Sequence, residues 1–398
     1  TGRVVQRGEQ IALSLELIDT AKDSVIWTES YSRNTSDLVA LQKEISRDVS
    51  THLKARLSGA ETERVVRSYT DSSEAYQLYL KGRFYWNKRT TTDIKKSIEY
   101  FDQAIALDPK YALAYSGLAD AWQVLPSFTS NPPAEEAYPK ARIAAQKALE
   151  IDPDLAEPHA ALGVVLHEYD WKFAEAEEEF KKAITLDPNY ASARQWYGEY
   201  LKHMGRFDEA IAESERAQEL EPLSVIINMM FGRAYYAARR NDDAIAQYKK
   251  ALEIDPNFQG ALASLAEVYL AKGMFAEAMK IDRKLDLLAG VAPEVVEKRI
   301  EALEDAYRRS GARGYWEINL QIAKDVARKH DVELPPGVLA FVHMNMGDGE
   351  EALSLLEETF EKTRHDKTLI GLKANPVWEP IRSEPRFQAL LRKVGLPG

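Results

Sequence analysis

A triplet of an aliphatic residue, an acid and a proline recurs through the middle of this 398-residue chain. It stands at Leu107-Asp108-Pro109, Ile151-Asp152-Pro153, Leu186-Asp187-Pro188, Leu220-Glu221-Pro222 and Ile254-Asp255-Pro256, so successive prolines lie 44, 35, 34 and 34 residues apart. Small residues keep step with it at Gly82, Gly117, Gly163, Gly198, Gly232 and Ala266, and again at Ala176, Ala210, Ala244 and Ala278 and at Ala183, Ala217 and Ala251. A repeat of this length is one supersecondary unit that buries its apolar face only by stacking on its neighbours. The proline begins or precedes a helix, where its missing N–H costs little.

Two stretches carry the pattern in full: Tyr197-Gly198, Leu201, Gly205, Phe207, Ala210, Ala217, Pro222, and Phe231-Gly232, Tyr235, Ala244, Tyr248, Ala251, Pro256. Position by position they resemble the tetratricopeptide-repeat (TPR) family, whose unit is an antiparallel pair of helices, A and B. The resemblance implies a mainly α protein, a right-handed α-α superhelix (solenoid). Helix pairs are expected at 73–107, 111–150, 155–186, 190–220, 224–254 and 258–289. Gly198 and Ala210 let A lie close on B, while Tyr235 and Tyr248 fill space between units. Repeat two is too long, with the excess at residues 126–133, read either as a tolerated insertion or as a binding loop. Beyond Gly290 the pattern decays. Two helices are expected over 293–330 around Ser310 to Gly314, a degenerate repeat over 335–365, and a terminal capping helix.

The first 58 residues differ. Ile11, Leu13, Leu15 and Leu17 alternate with Ala12, Ser14 and Glu16, a half-buried strand flanked by Val4-Val5 and Val25-Ile26-Trp27. A helix follows, capped by Ser36 and carrying Leu38, Leu41, Ile45, Val49 and Leu53 on one face. Three strands and a helix form a marginal core, which predicts further sequence upstream of Thr1. The order of these elements, through Thr1-Gly2-Arg3-Val4, residues 15–19, residues 26–31 and the helix start at Asp37-Leu38, resembles the second half of the TolB-like amino-terminal domain. That domain precedes TPR arrays in bacterial multidomain signalling proteins, behind winged-helix, nucleotide cyclase or Ser/Thr kinase heads. Residues 73–86 resemble the entry repeat of such proteins. The expected organisation is 1–58 a partial α/β (β-β-β-α) segment, 59–72 a linker, 73–289 six TPR hairpins, 290–370 divergent pairs and 371–398 the cap.

Composition narrows the chemistry. The net charge is −11 and no dense Lys/Arg block occurs, which argues against direct nucleic-acid binding. No cysteine is present, so thiol catalysis and thiolate metal sites are excluded, with no bearing on compartment. No apolar run reaches the ~20 residues of a membrane helix. Gly347-Asp348-Gly349 has the spacing of a dinucleotide-binding turn but follows a helical stretch, and is read as a repeat turn. His159 and His167 lack a third ligand. The Glu175, Glu177, Glu178, Glu179 cluster reads as a solvated helix face. No catalytic signature, cofactor or metal set stands out.

The resemblance instead directs attention to the A helices, which in TPR proteins line a concave groove. Carried over by position, the groove residues are Tyr76, Tyr79, Arg83 and Trp86, then Tyr111, Leu118 and Trp122, then Glu157, Val164 and His167. Gln195, Glu199, Lys202 and His203 follow, then Met229, Arg233 and Tyr236. Aromatics, Met and Arg suit protein hot spots; Trp122 and Tyr111 either line the groove or pack between repeats. Tyr79 and Arg83 stand where carboxylate-clamp TPRs carry Lys and Asn, so chaperone-tail binding is not implied. The chain is expected to be a non-catalytic scaffold or sensory module that takes a protein or peptide. The alternative is the regulatory half of a signalling protein. A homodimer through the sheet edge or the capping helix is a further expectation.

Overall fold

A computed structural model describes residues 1–19, 22–52, 69–129, 131–363 and 366–397. The chain divides into two units, Thr1–Leu162 and Gly163–Gly398.

The first unit opens with an antiparallel sheet, β1 (Gly2–Arg7), β2 (Gln10–Asp19) and β3 (Ser24–Asn34), in that order. Leu13 pairs with Val4 on one side and Tyr31 on the other. The alternation read in β2 is observed, with Ile11, Leu13 and Leu15 half-buried between exposed neighbours and Leu17 half-buried after exposed Glu16. Helix α1 (Leu38–His52) packs on β3 through buried Val39 and Leu41, and the Tyr31 hydroxyl donates to Asp48 at 2.8 Å. Ser36 does not cap α1. Residues Thr35–Asp37 form a 3-10 turn, and the Ser36 hydroxyl donates to Asp37 instead. Ala21, Leu53 and most of the expected linker lie outside the described residues.

Two hairpins follow, α2 (Ser73–Lys88) with α3 (Thr91–Leu107), and α4 (Ala112–Val124) with α5 (Ala134–Ile151). Ser72 and Thr90 cap α2 and α3 by accepting from the N–H three residues on. Phe101 explains two of the in-phase glycines. A Cβ on either Gly82 or Gly117 would lie 2.5 Å from its ring, so α2 and α4 both approach α3 only because neither has a side chain there. The acid of the recurring triplet also has a local role. Asp108 and Asp152, and later Asp187 and Asp255, each accept the backbone N–H two residues on, at 3.0, 3.3, 3.0 and 2.9 Å. This Asx turn ends the B helix, and the proline within it fixes φ for the exit. The long loop runs through a 3-10 turn at Leu125–Ser127, and the Thr91 hydroxyl donates to the Phe128 carbonyl at 3.0 Å.

Helix α6 (Ala156–Val165) leads into the second unit and continues as a π turn, Leu166–Asp170. Then come α7 (Phe173–Leu186), α8 (Ala191–His203), α9 (Phe207–Leu220), α10 (Val225–Ala237), α11 (Asn241–Ile254), α12 (Gln259–Ala271) and α13 (Phe275–Leu288). Stretch α14 (Pro293–Lys329) breaks at Gly311, whose φ of 60° and ψ of −146° are not helical. Helices α15 (Pro336–Met346) and α16 (Gly349–Lys362) form the last pair, and Gly347 between them is a left-handed helix end. The segment 371–398 is expected to form one capping helix, but its described residues, 371–397, are irregular. Preceded by the short α17 (Lys367–Ile370), they comprise a 3-10 turn at Pro376–Ile381 and α18 (Pro385–Val394). Prolines at 376, 380 and 385 break the segment into these pieces. Among the described residues no helix is long and apolar enough to cross a membrane.

Candidate functional site

In the first unit the expected positions on α2 gather around one buried carboxylate. Arg83 Nη1 donates to Asp120 Oδ2 at 2.9 Å, and Trp86 Nε1 donates to the Asp120 carbonyl at 3.2 Å. The Arg83 guanidinium lies 4.3 Å from the Trp86 ring centroid. Arg89 closes α2 in the left-handed region (φ 55°) and places its guanidinium 3.6 Å from the same ring. Burial pushes the Asp120 carboxyl up, while Arg83 and Arg89 pull it back. Trp86 is only 3% exposed, so it is a post between two cations and not a free contact. Tyr79 packs on Phe101 and Tyr111, and burial raises its phenol to about 12. Tyr111 is buried between hairpins. Tyr76, Tyr79, Arg83, Leu118 and Glu157 keep part of their surface open. Trp122 sits apart, half-buried, with Lys140 of α5 at 4.3 Å over its ring.

The second unit treats the equivalent positions differently. Val164, His167, Gln195, Lys202, His203, Met229 and Tyr236 are all buried. Lys202 Nζ donates to Glu199 Oε1 at 2.6 Å, and His203 Nε2 is 3.4 Å from the same oxygen. His203 Nδ1 and His167 Nε2 are 3.0 Å apart, which one neutral imidazole donating to the other satisfies. Burial drives His167 down to about 4 and His203 well below its usual value. Glu199 stays ionised, because Lys202 and Arg233 outweigh its burial. Arg233 donates to the Ser264 hydroxyl at 3.3 Å, and Met229 and Tyr236 pack with Tyr248, Leu262 and Leu265.

The covering element is the chain's own C-terminal segment. Leu369, Leu372, Trp378, Ile381, Phe387, Leu390, Leu391, Val394 and Leu396 form one cluster with Val164, Tyr197, Tyr200, Leu201 and Met204. Polar contacts hold it in place. Lys367 pairs with Glu168 at 2.8 Å, and Asn375 Nδ2 donates to Glu267 Oε1 at 3.0 Å. Arg239 reaches the Ala374 carbonyl at 3.5 Å and Glu379 at 2.6 Å. Glu267 follows Ala266 as Glu199 follows Gly198 and Arg233 follows Gly232, so the segment engages groove positions directly. The C-terminal segment therefore crosses the A-helix face of this unit, meeting Val164 and Glu267.

Three residues missed by sequence reasoning, Asp120, Arg239 and Glu267, organise these faces. Asp120 is the lone charge in the otherwise uncharged α4, which is the signal that would have marked it. Arg239 has φ of 64° where the equivalent turn of the preceding hairpin has Gly205 at 76°, and its guanidinium grips the C-terminal segment. Glu177 also departs from expectation. It accepts from Tyr197 at 2.9 Å, Arg206 at 2.7 Å and Lys181 at 2.7 Å, and these outweigh its burial to hold it at about 2. It is a hub, not a solvated glutamate.

With this geometry in hand, the comparisons bear on the fold. Two matches are to the family described as tetratricopeptide repeat, at residues 78–111 and 179–212, and a third to that described as TPR repeat, at 232–273. A putative adenylate cyclase 3 of Rhizobium meliloti is 26% identical over 170 residues, 42% of this chain and 28% of that protein. The type IV pilus assembly protein PilF of Pseudomonas aeruginosa is 40% identical over 70 residues, 17% of this chain and 27% of that protein. The chain thus spans just over a quarter of each of these curated relatives. Among solved structures, a monomeric mutant of IFIT1 with Gppp-AAAA superposes with a TM-score of 0.52 at 14% identity, covering 88% of this chain and 75% of that one, a likeness of fold alone. The repeat matches, the helix pairs and the glycine-to-aromatic packing converge: this chain carries tetratricopeptide repeats.

Proposed function

We propose that the chain is a non-catalytic interaction scaffold and that a protein or peptide partner engages the A-helix face of the first unit, at Tyr76, Tyr79, Arg83, Leu118 and Glu157. The observation that carries this is the contrast in exposure. These side chains keep open surface, whereas in the second unit Val164, His167, Gln195, Lys202, His203, Met229 and Tyr236 are buried and Glu199 and Arg233 stay partly open. Arg83 is preorganised by Asp120 and by stacking on Trp86, so little side-chain entropy is lost on binding. The partly open phenols supply rigid contact area beside it. The test is partner capture by the full chain and by Tyr76→Ala/Arg83→Ala, with folding checked by circular dichroism. Loss of capture supports the first unit. Capture unchanged by this pair but abolished by Glu199→Gln/Arg233→Gln moves the site to the second.

The resemblance to a putative adenylate cyclase favours a second reading, in which the scaffold is the regulatory part of a longer signalling protein. A purified full-length gene product with cyclase activity that responds to Tyr76→Ala/Arg83→Ala would support it.

A further inference from the structure

The side of α2 turned away from Tyr76, Tyr79 and Arg83 carries a separate chemistry. Lys81, Tyr85 and Lys88 lie about 150° round the helix from that set, at 3.6 residues per turn, and Leu80 and Phe84 lie on the flank between the two. Leu80 and Phe84, one turn apart, are 43% and 57% exposed. Tyr85 stacks on Tyr100 of α3 at 5.4 Å and meets Phe84 edge-on at 5.3 Å. Lysines surround these rings. Lys88 Nζ is 4.6 Å from the Phe84 centroid and 5.2 Å from that of Tyr85, Lys96 is 5.3 Å from Tyr85, and Lys81 is 5.8 Å from Tyr100. Lys95 is exposed beside Lys96. Among the described residues none of Lys81, Lys88, Lys95 and Lys96 has a carboxylate at ion-pair distance, whereas Lys140 and Lys181 each do. Glu74 on α2 and Glu99 and Asp102 on α3 are the exposed acids of the same hairpin, in a chain whose net charge is −11. The four lysines outnumber these three acids, a local cationic excess in an acidic chain that an anionic surface would complement.

We propose that this hairpin face docks on an anionic lipid membrane. Leu80 and Phe84 enter the boundary between headgroups and acyl chains, and the four lysines reach phosphate and carboxylate headgroups from their aliphatic stems. Charge complementarity selects the anionic surface, and the exposed apolar pair selects a lipid one. The rings argue against single-stranded nucleic acid, since Tyr85 already stacks on Tyr100 and lysines lie over Phe84 and Tyr85, leaving little free face for a base. Two large apolar anchors are few for a stable protein interface of about 800 Å² per partner, but they suffice as a membrane wedge. The net negative charge of the chain opposes approach until the patch lies within about 8 Å of the surface, the screening length in physiological salt. Docking is therefore oriented, with this face down, and sensitive to salt.

The test is co-sedimentation of the full chain with vesicles of equal parts phosphatidylcholine and phosphatidylserine, against phosphatidylcholine alone. The expected result is binding to the anionic vesicles, weakened by added salt. Lys88→Glu/Lys96→Glu should lower partition by about 100-fold and Phe84→Ser by about tenfold. Circular dichroism monitors folding, and Lys81→Glu/Lys95→Glu replaces any variant that unfolds. No binding to anionic vesicles, equal binding to both, or indifference to every lysine reversal overturns the proposal. Capture of poly-glutamate or oligo-uridylate without vesicle binding also overturns it and assigns the face to that class. The lysine reversals leave Tyr76, Tyr79, Arg83, Leu118 and Glu157 unchanged, so their outcome is distinguishable from a failure of the proposed peptide site.

Discussion

The A-helix faces of the two units start from one positional code and end in opposite states. In the first unit, Arg83 and Trp86 converge on Asp120 and leave a partly open rim of tyrosines. In the second, Gln195, Glu199, Lys202, His203 and Arg233 would make a far more polar groove, yet residues 366–397 lie across it and their apolar side chains join its core. The difference teaches that a repeat position specifies where a side chain points, not whether anything reaches it. A groove is a surface only while nothing in the same chain competes for it. Here the competitor is fixed by deeply buried anchors, Trp378 and Phe387, and by polar contacts at Glu168, Glu267 and Arg239.

The largest test of that contrast is to remove an anchor. Trp378→Ala or Phe387→Ala should cost about 3–5 kcal/mol, because both side chains are essentially inaccessible and the cavity cannot collapse fully. Denaturant titration should show the second unit losing stability with the first unchanged. A cost below about 1 kcal/mol would mean the segment is not part of that core. Next in size is the buried ion pair. Lys202→Met alone strands Glu199 and should cost about 3–4 kcal/mol, whereas Lys202→Met with Glu199→Gln should recover most of it. A double-mutant cycle measures the recovery, and additive losses would show that the two charges act independently.

Acidification offers a third and smaller lever. His167 is neutral when folded, with its value driven down to about 4 by burial, against about 6.5 when unfolded. Below pH 6.5 the unfolded state binds the proton more readily, so stability falls as pH falls, down to about pH 4. Between pH 6.5 and 5 the loss should approach about 2 kcal/mol, confined to the second unit. His167→Gln should flatten that slope in melts recorded across this range; an unchanged slope would locate the proton uptake elsewhere. The first unit supplies the smallest effect. Arg83→Ala leaves Asp120 short of a partner, but Arg89 remains near, so a cost of about 1–2 kcal/mol is expected, with the Asp120 carboxyl rising further when titrated by NMR.

Much of the architecture could be read from the residues in order. The triplets and in-phase glycines located the six hairpins because their causes are local: an Asx turn at Asp108 or Asp187, and a missing Cβ where Phe101 or Tyr248 approaches. Positions along the A helices were legible for the same reason, since a helix of known start places every third or fourth side chain on one face. The state of those positions was not. That Met229 and Tyr236 are core, and that Trp86 is a buried post, depends on Tyr248, Leu262, Asp120 and Arg89, which lie on other elements or beyond the helix end. The amphipathic pattern of Phe387, Leu390, Leu391 and Val394 announced a helix with one face to bury, without saying which surface would cover it.

The linear order of residues thus settled the repeat, its helix pairs and the turn chemistry, all of which arise from contacts within about one repeat of sequence. Which inner face stays open was decided only by the folded chain. Asn375 meets Glu267 and Arg239 meets Glu379 across 108 and 140 residues. Contacts at that separation depend on how every intervening hairpin stacks, so no local pattern encodes them.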